Sequence, residues 1–227
     1  MLVGNKFIFV SLPRCASKSF TYTCVKYGIN IQHFDPIFDN VNVDEISHPH
    51  ERLVDLTTKF GTNYPIISIK RDRHERFISL WKQVINEVKN REIATILQKL
   101  TVDDILYYND TDILSRESTT ELIDDFLDRY DLKKYNPTYL TNLLFILFNP
   151  TSFWHNNNPN IKWFDMTKLE ELELWVSEML NLNFRLEKIN TSKDTGCQLQ
   201  LNEEYINKYN YIYDIYDLNQ KNKKSII

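Results

Sequence analysis

The stretch PRCASKS, residues 13–19, places Arg14, Lys18 and the hydroxyls of Ser17 and Ser19 in one short polar segment. A second stretch, IKRDRHERFIS, residues 69–79, carries Arg71, Arg76 and Ser79. Guanidinium and ammonium groups beside serine hydroxyls suit a tetrahedral anion, because an arginine fork and a hydroxyl can clasp one phosphate or sulfate together. A plainer alternative stands beside this for the second stretch: Arg71 and Arg76 pair with Asp72 and Glu75, as charged turn residues often do.

Both stretches follow apolar runs that read as strands. KFIFVSL is apolar nearly throughout, as expected of a central strand covered on both faces, and Ser17 to Tyr27 then reads as a helix closed by Gly28. The PRCASKS turn therefore opens a helix, where unpaired backbone N–H groups and the positive end of the helix dipole favour an anion. The Walker pattern is absent: only Lys18-Ser19 matches its end, and the four glycines of the chain cannot build a glycine-rich cradle. YPIISIKR, Tyr64 to Arg71, reads as the second strand, and Phe77, Trp81, Val84, Ile85 and Val88 recur at helical spacing after it.

The remaining elements complete an alternating pattern. A short strand is expected at Ile29–Phe34, a helix in HERLVDLTTKFG ending at Gly61, a strand at Ile161–Met166, and then a helix striped by Leu169, Leu172, Val176, Met179 and Leu180. Strand and helix in alternation predict a three-layer α/β/α fold with a central parallel sheet, in which ligands bind at the carboxyl ends of the strands. Both polar turns lie at such ends. From Thr101 to Asp131 the chain is helical in pattern and strongly acidic, with Arg116 and Arg129 its only cations, and reads as a solvated helical face. A last helix carries Tyr205, Tyr209, Ile212, Tyr213 and Tyr216, and NQKNKKSII reads as a frayed tail. One domain spanning 1–227 is expected.

A net charge of −4 argues against general nucleic-acid binding, which needs a basic face, so any basic site must be local. Cys15, Cys24 and Cys197 have neither an even count nor metal-ligand spacing, which fits a reducing compartment. No apolar run approaches the roughly 20 residues of a membrane span, and no leader pattern precedes the first strand. The expectation is a cytoplasmic chain without a membrane partner.

Together the two polar turns resemble the sulfotransferases that use 3'-phosphoadenosine 5'-phosphosulfate (PAPS). PRCASKSF is similar to the P-K-T-A-S-T-S-F loop of the heparan sulfate 2-O-sulfotransferases, with Pro13, Ala16, Ser17, Ser19 and Phe20 matching directly. RDRHERFIS resembles the R-D-P-x-x-R-x-x-S element, with Arg71, Asp72, Arg76 and Ser79 in register. SHPHERLVDLTTKFG is similar to a family segment in which His-x-His precedes a helix and the second strand, while WFDMTKLEELELWVSEMLNL, INTSKD and YNYIYDIYDL resemble the closing strand, helix, cofactor lid and final helix. About two-thirds of the chain is covered. Lys18 stands where the family has a threonine and Arg73 where it has a proline. Lys18 either supplies charge or points away.

The resemblance implies a P-loop NTPase-like sulfotransferase fold with a helical acceptor-side insertion at about residues 90–150. It further implies that Arg14, Cys15, Ala16, Ser17, Lys18 and Ser19 hold the 5'-phosphosulfate of PAPS, that Arg71 and Ser79 hold the 3'-phosphate, and that 3',5'-bisphosphoadenosine is the product. Arg14, assisted by Lys18, would stabilise the leaving phosphate, and a histidine would take the proton of the acceptor hydroxyl. His50 is the first choice for that base and His48 the reserve, because both sit where the resembling enzymes carry theirs. His33, His74 and His155 have weaker cases. No metal is required. The acidic middle of the chain disfavours a sulfated polymer, so the expected acceptor is a neutral or cationic hydroxyl compound, a glycan or a small or peptide alcohol. A P-loop-type nucleotide kinase or nucleotide-binding protein is the alternative from the turns alone, and a non-catalytic scaffold of the same fold is a second.

Overall fold

Five strands form one mixed sheet: β1 (Leu2–Val3), β2 (Phe7–Val10), β3 (Ile31–Gln32), β4 (Ile66–Lys70) and β5 (Ile161–Asp165), in the order β3-β1-β2-β4-β5. This computed structural model describes residues 1–35, 50–88, 90–100, 119–135, 138–149, 151–156 and 158–188. β2, β4 and β5 run parallel, with Ile8 opposite Ile66 and Ile66 opposite Ile161. β1 is antiparallel to both of its neighbours, β2 and β3. The fold is thus mixed α/β, a partly parallel sheet flanked by helices, and not the wholly parallel sheet expected from the sequence.

The difference has a local cause. Leu2–Val3 folds back on β2 through Gly4 and Asn5, whose φ values are 56° and 54°, and the Lys6 N–H donates to the Val3 carbonyl at 2.9 Å. Three residues, Gly4 to Lys6, connect the paired Val3 and Phe7, and the two central positions of the Val3–Lys6 turn both take positive φ, which glycine and asparagine tolerate best. A Cβ on Gly4 would also lie 2.8 Å from Leu180 Cδ2, so both conformation and space call for glycine here.

The described residues group into two compact units. The first holds the sheet with α1 (Ser17–Lys26), α2 (Leu53–Phe60), the start of α3 (Arg73–Glu87), α7 (Thr151–His155) and α8 (Leu169–Leu180). All four residues of β2 are buried, as a central strand covered on both faces requires. Phe20 of α1 stacks on Phe9 with ring centroids 4.2 Å apart, and Phe7 meets Trp175 of α8 edge-on at 5.0 Å. The first contact seats α1 on the sheet and so fixes the turn that starts it, and the second seats α8. Of the stripe expected on α8, Leu172 and Val176 are fully buried.

The second unit is helical and holds the rest of α3 with α4 (Arg91–Lys99), α5 (Thr119–Arg129) and α6 (Thr138–Phe148). Its core joins Phe77, Leu80, Trp81, Val84 and Ile85 of α3 to Leu122, Ile123, Phe126 and Leu127 of α5. Glu121, Asp124, Asp125 and Asp128 occupy the exposed face of α5, the solvated acidic face read from the sequence. The acidic residues from 103 to 117, the expected lid INTSKD, the helix with Tyr205 to Tyr216 and the tail lie outside the described residues. No helix among the described residues is long and apolar enough to cross a membrane.

Candidate functional site

The turn after β2 reaches the start of α1 through an unusual backbone. Arg14 and Ala16 both take the left-handed conformation, with φ of 63° and 55°. This region costs a non-glycine residue about 1–2 kcal/mol, and such strain gathers at functional turns. Ala16 is the N-cap of α1 and offers no side chain to cap the helix. The first intrahelical bond runs from the Phe20 N–H to the Ala16 carbonyl, so the amides of the first turn face outward at the positive end of the dipole. Ser17 and Ser19 are buried, while Arg14 and Lys18 are partly exposed.

The turn after β4 is capped by an acid. Asp72 Oδ1 accepts the Glu75 N–H at 3.0 Å, and the Asp72 carbonyl accepts the Arg76 N–H at 2.9 Å, which starts α3 without the proline of the resembling motif. The Arg71 Nε donates to Glu75 Oε2 at 3.1 Å, the pairing anticipated as the plainer alternative. Glu75 is well exposed, so this ion pair holds Arg71 only weakly and yields readily to a stronger anion.

Arg76 behaves differently. Its Nε donates to the Pro13 carbonyl at 3.1 Å, the residue is only 7% exposed, and its buried Nη2 has no hydrogen-bond partner among the described residues. A buried cation with an unmet donor is costly unless an anion or other acceptor completes it. Burial pushes the Cys15 thiol up, against the opposing pull of Arg76, Arg71 and Arg14, so it stays protonated and neutral.

His50 joins this cluster from the segment before α2. Its Nδ1–H donates to the Ser11 carbonyl at 2.9 Å, with the Ser11 hydroxyl 3.3 Å away, and the ring meets Trp154 of α7 edge-on at 5.9 Å. Because a carbonyl can only accept, this contact fixes the neutral tautomer and leaves the lone pair on Nε2. Burial first, then the Arg76 and Arg14 cations, lower the pKa of His50 to about 4, although the bond to Ser11 works the other way. At neutral pH the ring is therefore an uncharged base.

The neighbours of His50 are tied down on two further sides. Glu51 accepts from the Phe34 N–H and from His33 Nδ1, the latter at 3.1 Å, and meets the Met1 amine at 3.1 Å. The Arg52 guanidinium lies over the Phe153 ring of α7, 4.8 Å from its centroid. Residues 50–52 are thus clamped to the ends of β2 and β3 and to α7.

Of the residues picked from sequence, Arg14, Cys15, Ala16, Ser17, Lys18, Ser19, Arg71 and His50 all lie in the sheet unit, at or beside the two turns. Ser79 is buried in α3, in the part assigned to the helical unit. His48 lies outside the described residues, and so do the side chains of Arg73 and His74. The sequence reading put Arg76 in register with the second anion element but gave it no binding role of its own, and it had no signal for Ser11. The alternative that paired Arg76 with Asp72 or Glu75 is not what the fold shows: its Nε is buried against the Pro13 carbonyl. Among the described residues no group of His, Cys, Asp or Glu side chains assembles as a metal site. Comparison with family models, with curated proteins and with solved structures finds no match to this chain.

Proposed function

We propose that this protein is a PAPS-dependent sulfotransferase, moving the sulfuryl group of PAPS to an acceptor hydroxyl. The observation that carries this reading is Arg76, a buried guanidinium that pins the Pro13 carbonyl while its Nη2 is left to an incoming oxyanion. Around it stand the uncapped start of α1, the Arg14 side chain and a neutral histidine, which is a complete set for stabilising a leaving phosphate and taking a proton. The finer fold assignment, a P-loop NTPase-like sulfotransferase domain with an acceptor-side helical insertion, belongs to the same proposal. The parallel run of β2, β4 and β5, with both polar turns after parallel strands, supports it.

In this reading the acceptor oxygen attacks sulfur and its proton passes to His50 Nε2. The bond from sulfur to the bridging oxygen of the 5'-phosphate breaks, and the charge left on that oxygen is met by Arg14, Arg76 and the amides from Ala16 to Ser19. Lys18, partly exposed one residue into α1, adds positive charge on the solvent side. Arg71 is the cation for the 3'-phosphate, exchanging Glu75 for it. The strongly acidic sequence from Thr101 to Asp131 favours, by its charge, a neutral or cationic acceptor over a polyanion.

The test is transfer of labelled sulfate from PAPS across a panel of sugars, alcohols and peptides, beside thermal shifts with 3',5'-bisphosphoadenosine and with ATP and magnesium. Transfer, with stabilisation by the bisphosphate, is expected. Stabilisation by ATP and magnesium alone would replace this reading with the kinase alternative, and binding of 3',5'-bisphosphoadenosine without turnover would favour the scaffold.

A further inference from the structure

Glu75 is the third residue of α3, with its N–H on Asp72 Oδ1 at 3.0 Å and its Oε2 on the Arg71 Nε at 3.1 Å. In a capping box the glutamate at this position reaches back to the N–H of the cap. Here the carboxylate lies on the guanidinium of the residue before the cap. We propose that Glu75 is a positioning residue that acts through Arg71: it is the resident counter-ion of that arginine, an intramolecular competitor that the 3'-phosphate displaces on entry and that takes Arg71 back on release. This rests on the reading of Arg71 as the cation for that phosphate.

Both partners are held where the exchange can occur. β4 ends at Lys70, in register with Asp165 of β5, so Arg71 starts from a fixed strand end, and Glu75 is tied by its backbone to the first turn of α3. The Arg71 side chain is 24% exposed and that of Glu75 61%, so solvent screens the pair and an incoming phosphate breaks little to enter. The geometry nevertheless makes Glu75 a competitor. Nε and its neighbouring Nη form one edge of the guanidinium fork, an edge on which a carboxylate or phosphate binds with two oxygens, and Glu75 Oε2 already lies there. A phosphate that takes this edge evicts the carboxylate. One that takes the opposite edge shares the cation with Glu75 and is repelled by its charge. On either route the carboxylate weakens the phosphate. Being four residues away on the same chain, it also returns without a diffusive encounter when the phosphate loosens, so its effect is read mainly in dissociation.

The probes are 3',5'-bisphosphoadenosine and adenosine 5'-phosphate, which lacks the 3' group, each titrated into the full chain near neutral pH. NMR follows the Arg71 Nε–H and the amides of residues 16–19, calorimetry gives affinity and stopped flow gives dissociation. In the wild type the bisphosphate is expected to move both sets of resonances and the 5'-phosphate only the amides. Glu75→Gln, a change at an exposed side chain that keeps its shape, is expected to bind the bisphosphate about two- to fivefold more tightly, the range an exposed ion pair supports, with dissociation slowed by a similar factor and the 5'-phosphate unaffected. In an Arg71→Gln background the same substitution should gain nothing. Equal tightening of both ligands, or tightening that persists without Arg71, makes Glu75 a distant charge and overturns the competitor while the transferase reading stands. Bisphosphate bound at residues 16–19 with the Arg71 Nε–H unmoved overturns the competitor together with the assignment of Arg71. No response to the bisphosphate at either place overturns the donor reading beneath it.

Discussion

Arg76 Nε stands 3.1 Å from the Pro13 carbonyl, so the helix that follows β4 holds the turn that follows β2. α1, β3, α2 and β4 separate the two turns in sequence, and this bond makes the turns parts of the same cluster. It also sets the orientation of the guanidinium, because a fork held at Nε can present only its Nη groups elsewhere.

Arg76→Ala tests that relationship directly. It removes a charged hydrogen bond to a buried carbonyl and leaves that carbonyl without its donor, a change that costs about 1–3 kcal/mol. Urea unfolding should show this loss at pH 7. Affinity for 3',5'-bisphosphoadenosine should fall tenfold or more, about 1.4 kcal/mol, and an unchanged affinity would remove Arg76 from the binding site.

His50 carries a stability slope whose sign follows from its folded pKa. The unfolded ring titrates near 6.5 and the folded ring at about 4, so between these values the unfolded chain holds more protons. Stability attributable to His50 is intact above pH 6.5 and falls as the pH drops toward 4. From pH 7 to pH 5 the loss is about 2 kcal/mol by linkage. His50→Gln should flatten the urea-derived profile by that amount relative to wild type. The same shift places the acid limb of kcat/KM, which reports the free enzyme, nearer pH 4 than 6.5.

Glu51 acts beside it with a different role. Burial raises its carboxyl, but the hydrogen bond from His33, the Met1 amine and the Phe34 N–H together outweigh that and hold it below the ordinary value. Its contribution is therefore present above the ordinary carboxylate pKa and lost as pH falls through the lowered one. Glu51→Gln keeps the shape and an acceptor for the Phe34 N–H but drops the charge. Unfolding at pH 7 should show a loss of about 1–3 kcal/mol, with the His50 resonances shifted because its neighbouring anchor to β3 is weakened.

The parts legible in the sequence were those with a period or a local chemical signature. β2 and β4 show as apolar runs, α1 and α3 as helical patterns opened by polar turns, and Gly28 as a left-handed residue just past α1, with φ of 66°. β1 was missed because two residues have no period, although Gly4-Asn5 is a hairpin signal in itself. The antiparallel pairing, and with it the mixed sheet, was lost with that strand. α7 is one short turn with no stripe, so the support that Phe153 and Trp154 give to Arg52 and His50 was invisible. His50 was chosen by resemblance alone. Its partner is the backbone carbonyl of Ser11, and a backbone acceptor thirty-nine residues away leaves no mark on side-chain pattern.

The strained turn gives a last prediction, resting on backbone alone. Ala16 and Arg14 occupy left-handed φ without being glycine. Glycine takes that region freely, although it also widens the unfolded ensemble, so the net gain for Ala16→Gly is about 0.5–1 kcal/mol. Urea unfolding of Ala16→Gly should show this increase, with sulfate affinity changed by less than about threefold because the amides and cations remain. Arg14→Gly relieves the same kind of strain but deletes a cation, so its stability should rise similarly while sulfate affinity falls by roughly tenfold. Equal affinities in the two variants would mean that Arg14 holds the turn's shape and not its anion.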